Sequence, residues 1–198
     1  EGDTVQVGKG AGLDIEGSDD ASTFRLALGD LVFGQAGADT LDGDDPAADR
    51  EDDDIDVMFG GGEGDTIRGY GGGRLSFGDE SDPTFELVLG NVVFGGDGDD
   101  AIATQDGIDV IFAGAGDDTA EAGAGDTLEI DDAFSIQLGD LVFGQLDADI
   151  LHGDAPTAGT GAGDDGIDVL FGGPGDDKLY GGSGGTIKLP GQDFCLLW

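Results

Sequence analysis

The chain has 198 residues, of which 42 are glycine and 5 are proline, and its formal net charge is −38. Glycine is about three times as frequent as usual, yet there is no Gly-X-Y period, which excludes a collagen triple helix. The charge would repel nucleic acid and anionic membranes, and no apolar run approaches the ~18 residues of a membrane span. We therefore expect no nucleic-acid partner and no membrane insertion.

The stabilising force of this glycine-rich chain has to come from something other than disulfides. Cys195 is the single cysteine, which excludes an intramolecular disulfide framework. Intrinsic disorder would suit the acidic composition, but apolar residues recur in short, evenly spaced clusters such as Leu31-Val32-Phe33 and Val110-Ile111-Phe112. This regularity favours an ordered repeat fold.

A long module recurs along the chain. Gly2-Asp3-Thr4-Val5 returns as Gly64-Asp65-Thr66-Ile67, Gly125-Asp126-Thr127-Leu128 and, degenerately, Gly184-Gly185-Thr186-Ile187, at spacings of 62, 61 and 59 residues. Each module also contains an alternating strand, which covers residues 24–28, 85–89 and 134–138 in turn. We predict one elongated domain over residues 1–198, with modules at approximately 3–64, 65–125 and 126–185.

A nine-residue period lies within each module and is clearest from Gly95 to Glu121. The first six residues of each unit are rich in glycine and aspartate, as tight turns require. The last three form a short strand whose middle residue is apolar in every unit, as expected for a column that faces a shared interior. Two such units per coil, stacked ~4.8 Å apart, predict an all-β fold with two parallel sheets.

The sixth position of the unit is acidic almost throughout. It is occupied by Asp30, Asp39, Asp56, Asp65, Asn91, Asp100, Asp109, Asp118, Asp140, Asp149, Asp168 and Asp177. Stacked carboxylates ~5 Å apart repel by roughly 0.8 kcal/mol in water and by more in a protein. A divalent cation between the turns would turn this repulsion into attraction, and calcium suits a turn rich in backbone carbonyls better than magnesium does.

The units resemble the G-G-x-G-x-D-x-U-x nonapeptide of the RTX (haemolysin-type) calcium-binding repeat family. The resemblance covers about two thirds of the chain, and it implies a parallel β-roll, or β-solenoid, whose calcium ligands are this aspartate and turn carbonyls from units one coil apart. The carboxylate pairs that it implies are Asp30 with Asp56, Asp39 with Asp65, Asp100 with Asp118, Asp140 with Asp168, and Asp149 with Asp177. Asn91 would pair with Asp109 in a weaker site.

Two insertions, residues 43–54 and 153–165, interrupt the nine-residue phase. We expect them to disturb the calcium sites around Asp56 and Asp168. Gln35 and Gln145 also depart from the pattern, because each replaces a glycine of the turn.

The function expected from these features is that of a calcium-binding structural repeat module of a secreted or cell-surface protein, of adhesin, surface-layer or filament type. It would fold on meeting calcium outside the cell. The alternative is an accessory folding and secretion domain of a type I-secreted enzyme whose catalytic domain lies elsewhere. We expect no catalytic centre in this segment, because carboxylates that chelate calcium stay ionised and cannot act as general acids.

Two features leave alternatives open. An outward column on one sheet contains Phe33, Phe59, Phe94, Phe112, Phe143 and Phe171. It is either a face for self-association or is covered by the strands that begin at Phe24, Phe85 and Phe134, or by the inserted loops. Residues 186–198 either form a terminal capping strand, the first of a fourth module, or an acidic-then-apolar tail like those of some RTX proteases and lipases.

Overall fold

The structure is a computed structural model and describes residues 2–6, 11–16, 23–44, 54–79, 82–130, 134–154, 166–182, 186–189 and 192–195. The strands in chain order are β1 (Thr4–Gln6), β2 (Ala11–Glu16), β3 (Thr23–Ala36), β4 (Thr40–Asp42), β5 (Ile55–Gly62), β6 (Thr66–Tyr70), β7 (Gly73–Asp79), β8 (Asp82–Asp97), β9 (Ala101–Thr104), β10 (Ile108–Ala115), β11 (Thr119–Glu121), β12 (Asp126–Ile130), β13 (Phe134–Leu146), β14 (Ile150–His152), β15 (Ile167–Phe171), β16 (Lys178–Tyr180), β17 (Thr186–Leu189) and β18 (Gln192–Cys195). None of the described residues lies in a helix that could span a membrane.

The narrow sheet of the fold is entirely parallel and has seven short strands, in the order β1-β4-β6-β9-β11-β14-β16. Its register follows the nonapeptide: Leu41 lies beside Ile67, and Ile67 lies beside Ile102. Equal positions of alternate repeats, one coil apart, are therefore neighbours, which is what a solenoid with two units per coil requires.

The wide sheet faces the narrow one. Its parallel part contains β5, β10, β15 and the second halves of β3, β8 and β13, with Phe33 beside Phe59 and Phe59 beside Phe94. The two sheets together confirm the predicted all-β parallel roll. The module boundaries stay a prediction, because strand pairing runs through them without a break.

A lateral extension of the wide sheet, here called the flange, is antiparallel. It consists of β2, β7, β12, β17, β18 and the first halves of β3, β8 and β13. The alternating strands that begin at Phe24, Phe85 and Phe134 are thus not separate elements, since each runs on into a strand of the roll. Residues 186–189 and 192–195 add one more hairpin to this flange.

The core is a thin layer between the two sheets. The middle residue of each short strand points into it, and those that are fully buried are Val32, Leu41, Met58, Ile67, Val93, Ile102, Ile111, Ala120, Val142 and Leu151. At the last rung the prediction of a uniformly buried column is wrong, because Leu179 is 47% exposed. The reason is that β16 is an edge strand with a neighbour on one side.

Candidate metal-binding edges

The turns between the two sheets form the two edges of the roll, and the sixth-position residues lie along them. The first edge leads into the wide sheet and contains Asp30, Asp56, Asn91, Asp109, Asp140 and Asp168 in stacking order. The second edge leads into the narrow sheet and contains Asp3, Asp39, Asp65, Asp100, Asp118, Asp149 and Asp177. Every residue predicted to bind metal therefore lies in one of two columns.

One hydrogen bond repeats along both edges. The backbone N–H of each residue donates to the side-chain Oδ1 of the residue one rung further on, over N···O distances such as 2.6 Å from Asp30 to Asp56 and 3.1 Å from Asp118 to Asp149. Each predicted carboxylate pair is adjacent in this way, and so is Asn91 with Asp109, at 2.5 Å. Because the bonds also join successive modules, as from Asp39 to Asp65 and from Asp118 to Asp149, each edge is a continuous ladder.

The second carboxylate oxygen is the unusual feature of these ladders. Oδ2 is buried and has no hydrogen-bond partner in Asp39, Asp56, Asp65, Asp100, Asp118, Asp140 and Asp149. These residues are at most 3% exposed. Burying a carboxylate oxygen without a partner costs folding free energy. A cation bound beside this row of oxygens would remove that cost.

Backbone carbonyls complete the cradle for such a cation. A Cβ atom on Gly34, the first residue of its unit, would lie 2.6 Å from Oδ2 of Asp39 and 2.5 Å from the carbonyl oxygen of Gly60. The same pairing of a carboxylate Oδ2 with a carbonyl from the next rung recurs at Gly60, Gly95 and Gly144. Glycine therefore leaves open a space lined by oxygen, and oxygen is the ligand that calcium prefers.

Side chains alone do not form a metal site. Within the described ranges, no group of three or more His, Cys, Asp or Glu side chains could hold a metal ion. Any cation at the edges would be held by carboxylates together with backbone carbonyls, which is the ligand set that the repeat implies. The residues present fit calcium on that basis.

Burial shifts the titration of the ladder carboxyls. Loss of hydration raises the pKa of Asp56 and of Asp118 to about 7, and that of Asp100 to about 6, although the N–H of the preceding rung opposes the shift. Burial also raises the pKa of Asp109 and Asp140. A cation would be needed to keep these groups ionised at neutral pH.

The two insertions leave the ladder intact. Asp56 and Asp168 both accept the backbone N–H of the preceding rung, at 2.6 Å from Asp30 and 2.9 Å from Asp140. Gln35 and Gln145 keep the turn conformation of the glycines that they replace, with φ of 85° and 86°. The repeat geometry thus tolerates both departures from the pattern.

Sequence reasoning missed three residues of the edges. Asp3 is the first member of the second edge, since its N–H donates to Asp39 at 2.6 Å; the repeated Gly2-Asp3-Thr4-Val5 motif was the available signal. Asp44 and Asp54, which lie at the two ends of the first insertion, are buried, and their charges help to raise the pKa of Asp56. The signal for Asp44 was the recurrence of Gly43-Asp44 as Gly153-Asp154.

The outward face of the wide sheet carries an aromatic column, the phenylalanine stack, made of Phe33, Phe59, Phe94, Phe112, Phe143 and Phe171. Successive ring centroids are 4.7–5.0 Å apart and successive ring planes differ by 2–10°. The end members Phe33 and Phe171 are 52% and 51% exposed. The strands that begin at Phe24, Phe85 and Phe134 continue into this same sheet; loop residues 45–53 and 155–165 lie outside the described residues.

These features define a parallel β-roll whose two acidic edges are built for divalent cations. The model of the RTX calcium-binding nonapeptide repeat matches the chain in four copies, over residues 29–45, 91–128 and 160–185. The chain therefore carries RTX calcium-binding repeats, as its nonapeptides predicted, and forms a calcium-binding structural repeat domain. No curated protein and no solved structure matches the chain significantly.

Proposed function

We propose that this domain is a structural module of a secreted or cell-surface protein, that it folds when extracellular calcium binds along both edges, and that it contains no catalytic centre. The observation that carries the proposal is the row of buried Oδ2 atoms without hydrogen-bond partners. RTX repeats are typical of secreted proteins, which supports the extracellular setting.

Free-energy linkage supports a fold that depends on location. Extracellular calcium modules bind with Kd of ~10⁻⁴–10⁻³ M, and calcium at ten times Kd contributes roughly 1.4 kcal/mol per site. Several sites together reach the whole stability of an ordinary domain, ~5–15 kcal/mol. In a calcium-poor cell interior this contribution vanishes, so the chain would remain unfolded until it is exported.

Circular dichroism during a calcium titration tests this function. The far-ultraviolet β signal should grow as calcium is added, fall severalfold on chelation with EGTA and return when calcium is restored. Magnesium at the same concentration is the control and should restore little of the signal. A full β signal after exhaustive dialysis against EGTA, with no bound metal detected by elemental analysis, would refute the proposal.

We further propose that the phenylalanine stack is a face for self-association. Its rings have the spacing of the rungs, so a second copy presents a surface of identical period that can pack against it along its whole length. Leu31 and Val169, which are 62% and 43% exposed, widen the apolar strip. The acidic ladders lie at the edges, where bound calcium would reduce the repulsion between two highly charged copies.

A further inference from the structure

One rung of the first edge differs from all the others because its side chain is an amide. Asn91 is fully buried. Its Oδ1 accepts the backbone N–H of Asp56 at 2.9 Å, and its Nδ2 donates to the carbonyl oxygens of Gly71 at 3.1 Å and Tyr70 at 3.3 Å. The partners fix the orientation of the amide, since a backbone N–H only donates and a carbonyl only accepts.

The amide nitrogen lies where other rungs have the unpartnered oxygen. Gly43 and Gly69 occupy equivalent places in the repeat. Each lies two residues after a buried core residue, Leu41 of β4 and Ile67 of β6. A Cβ atom on Gly43 would contact Oδ2 of Asp56, whereas one on Gly69 would lie 2.7 Å from Nδ2 of Asn91. At the Asn91 rung, the position of the unpartnered Oδ2 is thus occupied by Nδ2, which is a hydrogen-bond donor.

The carbonyls of this turn are also engaged. The Tyr70 carbonyl accepts the backbone N–H of Gln105 at 2.9 Å in addition to the Asn91 amide. Two donors use both lone pairs of that oxygen. The Tyr70 carbonyl then has no lone pair left for a metal, and the side-chain atom that faces this turn is an amide nitrogen, which donates hydrogen bonds and does not coordinate a cation.

We infer that Asn91 closes its turn without calcium, so that this rung is a metal-independent joint between the first and second modules. The inference rests on the proposed calcium-dependent folding of the other rungs. The hydrogen bonds of the Asn91 amide replace the contacts that a calcium ion would make at this rung. The strands that it joins, β5 and β8, should therefore keep pairing in calcium-free solution. Calcium would then extend the roll from this rung in both directions.

Asn91→Asp tests the inference by restoring the acidic consensus. Equilibrium dialysis with radioactive calcium should show one additional ion per chain relative to the wild type. The control is Gln105→Glu, which adds the same charge on an exposed side chain of the neighbouring turn and should leave the count unchanged. An unchanged count in Asn91→Asp would overturn the inference.

Hydrogen exchange of the wild-type chain in EGTA gives a second test that needs no variant. The backbone amide of Asp56, which donates to the Asn91 side chain, should exchange at least tenfold more slowly than those of Asp100 and Asp140, which donate to carboxylates in otherwise equivalent bonds. Equal exchange at all three would overturn the inference, and this measurement is decisive by itself if Asn91→Asp does not fold. A wild-type chain that binds no calcium would instead refute the proposed function, whatever the exchange map shows.

Discussion

The backbone N–H of Asp65 donates to Oδ1 of Asp100 at 2.7 Å, although the two residues are 35 positions apart. Oδ2 of each carboxylate is buried and without a hydrogen-bond partner. One carboxylate therefore has two tasks, since Oδ1 joins the rungs and Oδ2 faces the space lined by carbonyls. This division explains why the metal site and the fold should fail together when calcium is removed.

Asp65→Asn should separate those two tasks. The amide keeps an acceptor for the N–H of Asp39, which lies 2.8 Å from Oδ1 of Asp65, but removes the charge. We expect calorimetric titration to show the loss of one calcium site, or at least a tenfold weaker one. Asp97→Asn is the control, because Asp97 is an exposed residue at the end of β8. Equal calcium binding by the two variants would contradict the assignment of Asp65 as a ligand.

Gly60→Ala should block a cradle while leaving its carboxylates unchanged. The added methyl group would fall between Oδ2 of Asp65 and the carbonyl oxygen of Gly95, where the cation is expected. We expect one fewer calcium per chain and a calcium midpoint of folding that is several-fold higher. Gly62→Ala is a matched control, since its methyl group would meet only the Gln35 carbonyl, 4.0 Å away. If Gly60→Ala and Gly62→Ala lowered calcium binding equally, the general effect of replacing glycine by alanine, and not the blocked cradle, would be responsible.

Acid should partly replace calcium. The pKa of Asp56 and of Asp118 is about 7 in the metal-free fold and about 3.9 in an unfolded chain. The metal-free fold thus binds more protons than the unfolded chain, so its stability is highest below about pH 4 and is lost as the pH rises through 7. In calcium-free buffer, the β signal in circular dichroism should be larger at pH 5 than at pH 8.

The calcium-loaded protein should respond to acid in the opposite direction, because protons compete with calcium for the same carboxylates. Calcium affinity measured by calorimetry should fall as the pH decreases through 7. A calcium-free chain with less β structure at pH 5 than at pH 8 would show that the buried carboxyls do not govern this equilibrium.

Replacing two central rings should weaken self-association without unfolding the roll. Phe94 and Phe112 stack at 5.0 Å on the outward face, so Phe94→Ser with Phe112→Ser removes apolar surface from the middle of the stack. Light scattering in calcium should show a concentration for association that is at least tenfold higher than in the wild type. Thr66→Ser with Thr119→Ser on the narrow sheet is the control. A wild-type protein that stays monomeric at high concentration in calcium would refute the self-association proposal.

Sequence alone determined the repeat, and with it much of the architecture. The nine-residue unit fixes which residues point inward, because side chains alternate along each short strand. This is why the sequence assigns Leu41 and Ile67 to the core, and Asp30 and Asp56 to one edge. The identity of calcium followed from carboxylates and glycine-rich turns, whose chemistry does not depend on distant contacts.

The tertiary structure decided what depends on neighbours far apart in sequence. The structure showed that the strand beginning at Phe85 pairs antiparallel in the flange and continues without a break into the roll. The role of Asn91 also depends on its tertiary neighbours. An asparagine in an acidic column predicts only a weaker site, whereas we infer that its hydrogen bonds to Tyr70 and Gly71 replace the ion. Local chemistry is encoded in the repeat, but whether a buried polar atom has a partner is settled only when the rungs are stacked.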